Sequence, residues 1–290
     1  MSTPTAPLRI VTFNVLPFAF EIVTRWAAQA GHHLVLTVTS PGPASRRGKS
    51  YQQIVTNAPP DLEILVTTRL RKVALPLIRA LAPDLIVSFT FPYRIPPEVR
   101  AVPRLGAVNL HPTPLPAYRG PNPLRLFYEG WPTMGATLHW MDDDFDTGLI
   151  LSQQIAPVPA QLTPQTLVAT WGPLVMGALA EGTARAIAGE AGSPQDESAA
   201  SYGGAFTEAE HWLDLQEPMQ SLQRKCTALN VLNPGSARVR IDGTPYALYE
   251  CAPFTDQQLA QPGALIEDHG EALIAQAGDG QVRLVTKPLR

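Results

Sequence analysis

Cysteine is nearly absent: Cys226 and Cys251 are the only two in 290 residues. Neither belongs to a His, Cys or Asp cluster at ligand spacing, so no structural zinc is expected; the two thiols could pair, but without an export signal two reduced thiols and no metal are the expectation. Long apolar runs are missing too. None approaches the roughly 18 residues that a bilayer span requires. The opening Met-Ser-Thr-Pro-Thr-Ala-Pro lacks a basic start followed by an apolar stretch, so no secretory signal is read and a cytoplasmic location without a membrane partner is expected. An excess of one charge is also lacking: 22 basic and 25 acidic residues leave a net charge of −3. That balance gives no electrostatic footprint for coating a nucleic acid or an anionic surface.

What is present is a hydrophobic fraction of 45% and enough length for two domains of unequal size. The first half alternates β-rich runs (8–13, 33–39, 61–67, 84–89, 107–111) with helical stretches (19–30, 69–81). Strands separated by helices of about 10–15 residues predict a parallel sheet covered on both faces, a Rossmann-like α/β domain. Residues 135–141 and 149–155 continue the sheet, and 164–188 read as one long helix. Small polar residues dominate 189–205, which places a linker at 191–205. Beyond it lie a helix at 218–229 and five short strands, at 238–241, 246–252, 263–267, 272–275 and 282–286. These predict a small antiparallel β-barrel, OB-like in size. The expected division is a catalytic domain at 1–190, the linker, and the barrel at 206–290.

Chemistry concentrates in two segments. Residues 106–120 read Gly-Ala-Val-Asn-Leu-His-Pro-Thr-Pro-Leu-Pro-Ala-Tyr-Arg-Gly. A strand has period two, so Asn109 and His111 face the same side at the end of a strand, where open α/β sheets hold their ligands. An amide donor beside an imidazole suits a carbonyl that becomes an oxyanion. An isolated Asn-x-His pair reads equally well as a turn cap next to a core histidine. Pro112, Pro114 and Pro116 then make a rigid, extended loop that fixes the strand end. The second segment, 135–148, runs from a strand into a turn carrying Asp142, Asp143, Asp144 and Asp146. A carboxylate beside His111 would raise the pKa of the histidine and orient its ring. Asp142 and Asp143 read as solvated turn residues, whereas Asp146, next to Thr147-Gly148, is the candidate partner.

Asn109-Leu-His111-Pro-Thr-Pro-Leu-Pro-Ala-Tyr-Arg119-Gly120 followed by Gly135-Ala-Thr-Leu-His and Asp146-Thr-Gly148-Leu-Ile resembles the signature of the folate-dependent formyltransferases. That family includes enzymes acting on methionyl-tRNA and on amino-sugar nucleotides. The likeness also takes in Pro83-Asp-Leu-Ile-Val-Ser-Phe-Thr-Phe, Ala228-Leu-Asn and Asn233-Pro-Gly. The resemblance implies an enzyme that uses 10-formyltetrahydrofolate and no metal, with Asn109, His111 and Asp146 as its catalytic residues. It implies a pterin lying against Ser88, Phe89, Phe91 and Tyr93 and against the turn Asp142, Asp143 and Asp144. It also implies acceptor contacts from Asn14, Thr113, Tyr118 and Arg119. The chain departs from the family pattern at three places. Thr113 stands where Ser is usual, Val231-Leu-Asn-Pro-Gly235 replaces Pro-Trp-Pro-Gly, and Asn14-Val-Leu-Pro17 replaces a turn of small residues.

The acceptor is expected to be a small-molecule amine, either an amino-sugar nucleotide or an amino-acid-like metabolite. Residues 201–290 carry 7 basic and 11 acidic side chains, a balance ill-suited to clamping RNA. Initiator tRNA is the alternative, favoured by the Arg46, Arg47 and Lys49 cluster, which is similar to a loop that holds the acceptor arm in tRNA formyltransferases. A third reading is a repurposed fold that binds some other ligand. The sequence does not specify an oligomeric state.

Overall fold

A computed structural model describes residues 6–41 and 50–289. Arg46, Arg47 and Lys49 therefore lie outside the described residues. The chain divides into two compact units, each assembled from separate segments.

The first unit comprises residues 1–120, 135–155 and 173–201. It begins with β1 (Arg9–Phe13), α1 (Pro17–Gln29), β2 (His33–Thr39), α2 (Ser50–Asn57) and β3 (Ile64–Val66). A short π-helical turn leads into α3 (Leu75–Leu81), followed by β4 (Leu85–Phe89), α4 (Pro97–Arg100) and β5 (Ala107–His111). Helix α1 starts at a proline, whose missing N–H is harmless in a first turn, and buries Ala19, Phe20, Val23, Trp26 and Ala27 at helical spacing. Apolar runs such as Leu85–Phe89 are buried at every position, as expected for strands covered on both faces.

Helix α5 (Arg125–Glu129), β6 (Thr133–Trp140), β7 (Ile150–Pro157) and α6 (Pro164–Ile187) come next. The seven strands are ordered β3-β2-β1-β4-β5-β6-β7. Pairings from β3 through β5 are parallel. Between β5 and β6 the pairing is antiparallel. The expectation of a parallel sheet thus holds up to β5 and reverses at its edge. The reversal sets Asn109 directly opposite His139 and His111 opposite Thr137.

The second unit comprises residues 121–134, 156–172 and 202–290. Here β8 (Trp212–Leu213), α7 (Met219–Asn230), β9 (Ala237–Ile241), β10 (Thr244–Thr255), β11 (Leu265–Asp268), β12 (Ala272–Gln276) and β13 (Gln281–Pro288) form a six-stranded sheet and its helix. The strand order is β11-β12-β13-β10-β9-β8. All its pairings are antiparallel except β8 with β9. Leu222, Cys226 and Leu229 of α7 share a core with Val239, Ile241, Leu248, Cys251, Leu273 and Leu284. Both cysteines are free and buried. Burial pushes the Cys226 thiol up to about 12, against the lowering effect of the Asn230 amide, so it is a packing group and not a nucleophile.

The division differs from the expected one in a way that bears on function. Residues 191–201 pack with the first unit, whereas 121–134 and 156–172 belong to the second. A Gly/Ser-rich composition signalled a tether because its ordering partners, described below, are distant in sequence.

Candidate active site

The end of β5 is where the reactive residues meet. Within this strand Asn109 is partly exposed and its four neighbours are buried. Phe13, Ser88, Asn109 and His139 form one row across β1, β4, β5 and β6. His111 closes the strand with a side chain 6% exposed.

Asp146 joins the two. Its Oδ1 accepts from Asn109 Nδ2 at 3.1 Å, and its Oδ2 accepts from the Gly120 backbone N–H at 2.8 Å. Its Oδ2 also lies 3.5 Å from His111 Nδ1, and its Oδ1 lies 3.5 Å from His139 Nε2. Burial alone would raise this carboxyl. The neighbouring His111 and His139 and the Gly120 amide outweigh it and hold Asp146 well below the usual carboxylate range. The group is therefore ionised at neutral pH.

His111 Nε2 lies 2.8 Å from the Tyr118 carbonyl, which can only accept, so that nitrogen carries the hydrogen. The lone pair is then on Nδ1, facing Asp146. Burial pushes the His111 pKa below its ordinary value, while Asp146 and the Tyr118 carbonyl pull it upward. The protonated ring has an acceptor for each N–H, the Asp146 carboxylate and the Tyr118 carbonyl. That arrangement suits a transient proton carrier.

His139 was not among the residues singled out in the sequence. Its Nδ1 donates to the Trp140 carbonyl at 2.8 Å, which leaves Nε2 to accept from Asn109 Nδ2 at 3.3 Å. The signal was available, because Thr137 and His139 share a strand face with period two. Without the antiparallel register, nothing connected that face to Asn109.

Strain gathers around the same residues. Thr90, Tyr118 and Asp146 have φ of 64°, 56° and 61°, a left-handed conformation that is uncommon outside glycine. Close to Asp146, Gly148 leaves no room for a side chain: a Cβ there would lie 1.8 Å from the Trp140 carbonyl oxygen. Gly148→Ala must therefore push β6 away from the turn. A loss of about 3 kcal/mol of stability is expected in urea unfolding; an unchanged midpoint would show that the two backbones are not in contact.

The remaining expected residues fall into different environments. Thr113 is fully buried, donates to the Ala117 carbonyl at 2.7 Å and thereby braces its own loop. The Arg119 guanidinium is engaged by Glu197 Oε1 and Oε2 (2.7 and 2.9 Å) and by Gln195 Oε1 (2.7 and 3.0 Å). Asn14 is 0% exposed; its amide donates to the Phe89 carbonyl and its oxygen accepts from Thr12, tying the ends of β1 and β4. Ser88 and Phe89 are buried in β4, with Phe89 edge-on to Phe18. Phe91 packs edge-on between Phe13 and Tyr93. In the acidic turn, Asp142 accepts from Thr147, Asp143 pairs with Arg100 and Asp144 pairs with Arg94. Of the three, Asp142 braces the turn from within, accepting also from the Asp144 N–H. Among the described residues no group of three or more His, Cys, Asp or Glu is placed to hold a metal, and no helix is long and apolar enough to cross a membrane.

An ionised carboxylate, a buried imidazole and an amide donor at a strand end can stabilise an oxyanion and carry a proton. Comparison with known proteins agrees with that chemistry. The profile described as "Formyl transferase" matches residues 9–171, and "Formyl transferase, C-terminal domain" matches 206–287. A methionyl-tRNA formyltransferase of Halorhodospira halophila is 32% identical over 212 residues, covering 71% of this chain and 67% of that protein. One from Roseiflexus sp. is 31% identical over 289 residues, covering 97% and 87%. Among solved structures, HypX from Aquifex aeolicus in complex with tetrahydrofolic acid superposes with a TM-score of 0.70 at 18% identity, covering 98% of this chain and 45% of that one. The chain thus spans a little under half of HypX. The sugar 3N-formyl transferase WlaRD superposes with a TM-score of 0.65 at 14% identity, covering 99% of each chain. With both profiles matched in order along most of its length, the chain belongs to the formyl transferase family and is an enzyme of one-carbon group transfer.

Proposed function

We propose that this enzyme moves a formyl group from 10-formyltetrahydrofolate to the primary amine of a small-molecule acceptor. The observation that carries this reading is the cluster of Asn109, His111 and Asp146, in which Asp146 accepts from Asn109 at 3.1 Å and lies 3.5 Å from His111 Nδ1. HypX solved with tetrahydrofolic acid supports folate as the donor.

In this reading the amine nitrogen attacks the formyl carbon, and the carbonyl oxygen becomes an oxyanion. Asn109 donates to it. Of the two Nδ2 contacts, the one to His139 is longer, 3.3 Å against 3.1 Å, and is the one an oxyanion draws away. The His111–Asp146 pair takes the proton of the attacking amine, giving an imidazolium held by Asp146 and the Tyr118 carbonyl. Collapse of the intermediate breaks the bond to the folate nitrogen, which takes that proton and leaves as tetrahydrofolate.

A small acceptor is supported by the charge of residues 201–290, with 7 basic against 11 acidic side chains, and by the pairing of Arg119 with Glu197. Amino-sugar nucleotides or amino-acid-like amines fit that class. Initiator methionyl-tRNA is the second reading. It is favoured by the names of the relatives and by one feature of the second unit. There Arg238 and Arg240 lie over the Trp212 ring at 5.6 and 4.7 Å, and Lys287 lies over Tyr249 at 5.3 Å. Rings flanked by cations suit a nucleic-acid surface. The Arg238 charge is, however, paired with Glu208.

Tetrahydrofolate release on incubation with 10-formyltetrahydrofolate separates these readings. Release is expected with a member of a panel of amino-sugar nucleotides and amino acids. Release only with charged initiator tRNA would replace the small acceptor. Absence of binding to 10-formyl- or 5-formyltetrahydrofolate at high micromolar concentration would point to a repurposed site.

A further inference from the structure

Gln195 makes four hydrogen bonds with its side chain, and all of them end on the two loops that build the site. Its Nε2 donates to the Asp146 carbonyl at 2.8 Å and to the Gly148 carbonyl at 2.9 Å. Its Oε1 accepts from Arg119 Nε at 3.0 Å and Nη2 at 2.7 Å. Carbonyls only accept and a guanidinium only donates, so the amide has one orientation that satisfies its partners.

The neighbours of Gln195 continue the seam. Ser193 exchanges both backbone hydrogen bonds with Ile150 at 2.8 Å. Glu197 completes a two-pronged pair with Arg119. Ser201 accepts from Arg119 N and donates its own N–H to the Pro116 carbonyl, while its Oγ accepts from Tyr118 N. Residues 193–201 therefore run between the proline loop after β5 and the acidic turn after β6, bonding to both.

The location of the Gln195 bonds matters most. Asp146 is a non-glycine residue at φ 61°, a conformation that costs energy and persists only where neighbours enforce it. The carbonyls that Gln195 holds are those of Asp146 itself and of Gly148, two residues on. Across the seam, Gly120 N–H meets Asp146 Oδ2 at 2.8 Å. We propose that Gln195 is a positioning residue for the transfer centre: it pins the left-handed turn so that the Asp146 carboxylate meets His111, Asn109 and Gly120 together. The proposal rests on Asp146 serving the transfer reaction.

Two substitutions separate the arms of the side chain. Gln195→Glu keeps an acceptor for Arg119 and loses both donations to the turn; Gln195→Ala loses everything. Both are expected to lower kcat about ten- to a hundredfold with less than threefold change in KM for the folate, the signature of displaced catalytic groups. Wild-type turnover in Gln195→Glu would overturn the proposal. Because Gln195 acts through Asp146, Gln195→Ala should cost less than about twofold when added to Asp146→Asn in single-turnover measurements. Equal cost in both backgrounds would mark a general structural role and defeat the idea. A readout free of activity covers the case in which the folate reading itself fails. Amide exchange at Gly120 should be at least about tenfold faster in Gln195→Ala, since its acceptor is no longer fixed. Unchanged protection there would overturn the proposal whatever the substrate.

Discussion

Replacing Asp146 with asparagine is expected to lower kcat on the order of 10³- to 10⁴-fold while the protein remains folded, by analogy with other histidine bases deprived of the acid that orients them. The substitution preserves shape, so packing is not the cause. Three relations change together. The Asn109 amide loses a charged acceptor at 3.1 Å, the Gly120 N–H loses one at 2.8 Å, and His111 loses the anion that would stabilise its protonated state. The pH dependence supplies a second check with a definite sign. Burial holds the His111 pKa below its ordinary value, and Asp146 works in the opposite direction. In the wild type, activity that needs neutral His111 is lost as pH falls through this lowered value. Without the Asp146 charge the value drops further, so the acid limb of kcat/KM should move to lower pH as the plateau collapses. A limb that moves upward, or a plateau within tenfold of wild type, would remove Asp146 from the centre.

Asn109→Ala is expected to lose about two to three decades in kcat, the typical worth of one oxyanion donor, about 2.7–4 kcal/mol. The interest lies in how the donor is stored. Both amide hydrogens have resting partners, His139 Nε2 and Asp146 Oδ1. The reaction therefore exchanges a hydrogen bond and does not create one from an idle group, which places the expected loss towards the lower end of that range. KM for the amine should change little, since Asn109 responds to charge that develops only during attack. Turnover equal to wild type would exclude the residue from the mechanism, whereas a rise in KM with unchanged kcat would make it a binding group.

The sequence and the structure agree where information is local. A period of two put Asn109 and His111 on one strand face, and nearly every strand and long helix was legible from apolar periodicity and its punctuation. The misses at the site are consequences of pairing between distant segments. Nothing in residues 133–140 announces that β6 runs against β5, and without that register His139 has no visible relation to Asn109. The family resemblance implied an acceptor contact for Arg119. Its guanidinium instead meets Gln195 and Glu197, nearly 80 positions away, within a stretch whose small polar residues suggested a tether. Asn14 looked like a polar residue at a strand end and is a buried brace between β1 and β4. In each case the partner was set by topology.

The interleaving of the two units carries a lesson for how such proteins can be recombined. The first unit takes residues from three stretches and the second unit takes the intervening ones. A fragment cut at residue 190 would leave behind Gln195, Glu197 and Ser201, which fasten the reactive loops, and would keep 121–134 and 156–172, which belong with the other unit. A crossover that exchanges the C-terminal portion with that of a relative would have to fall after Ser201 and also preserve those two inserted stretches. Inheritance of a new C-terminal half is thereby constrained by residues in the N-terminal one.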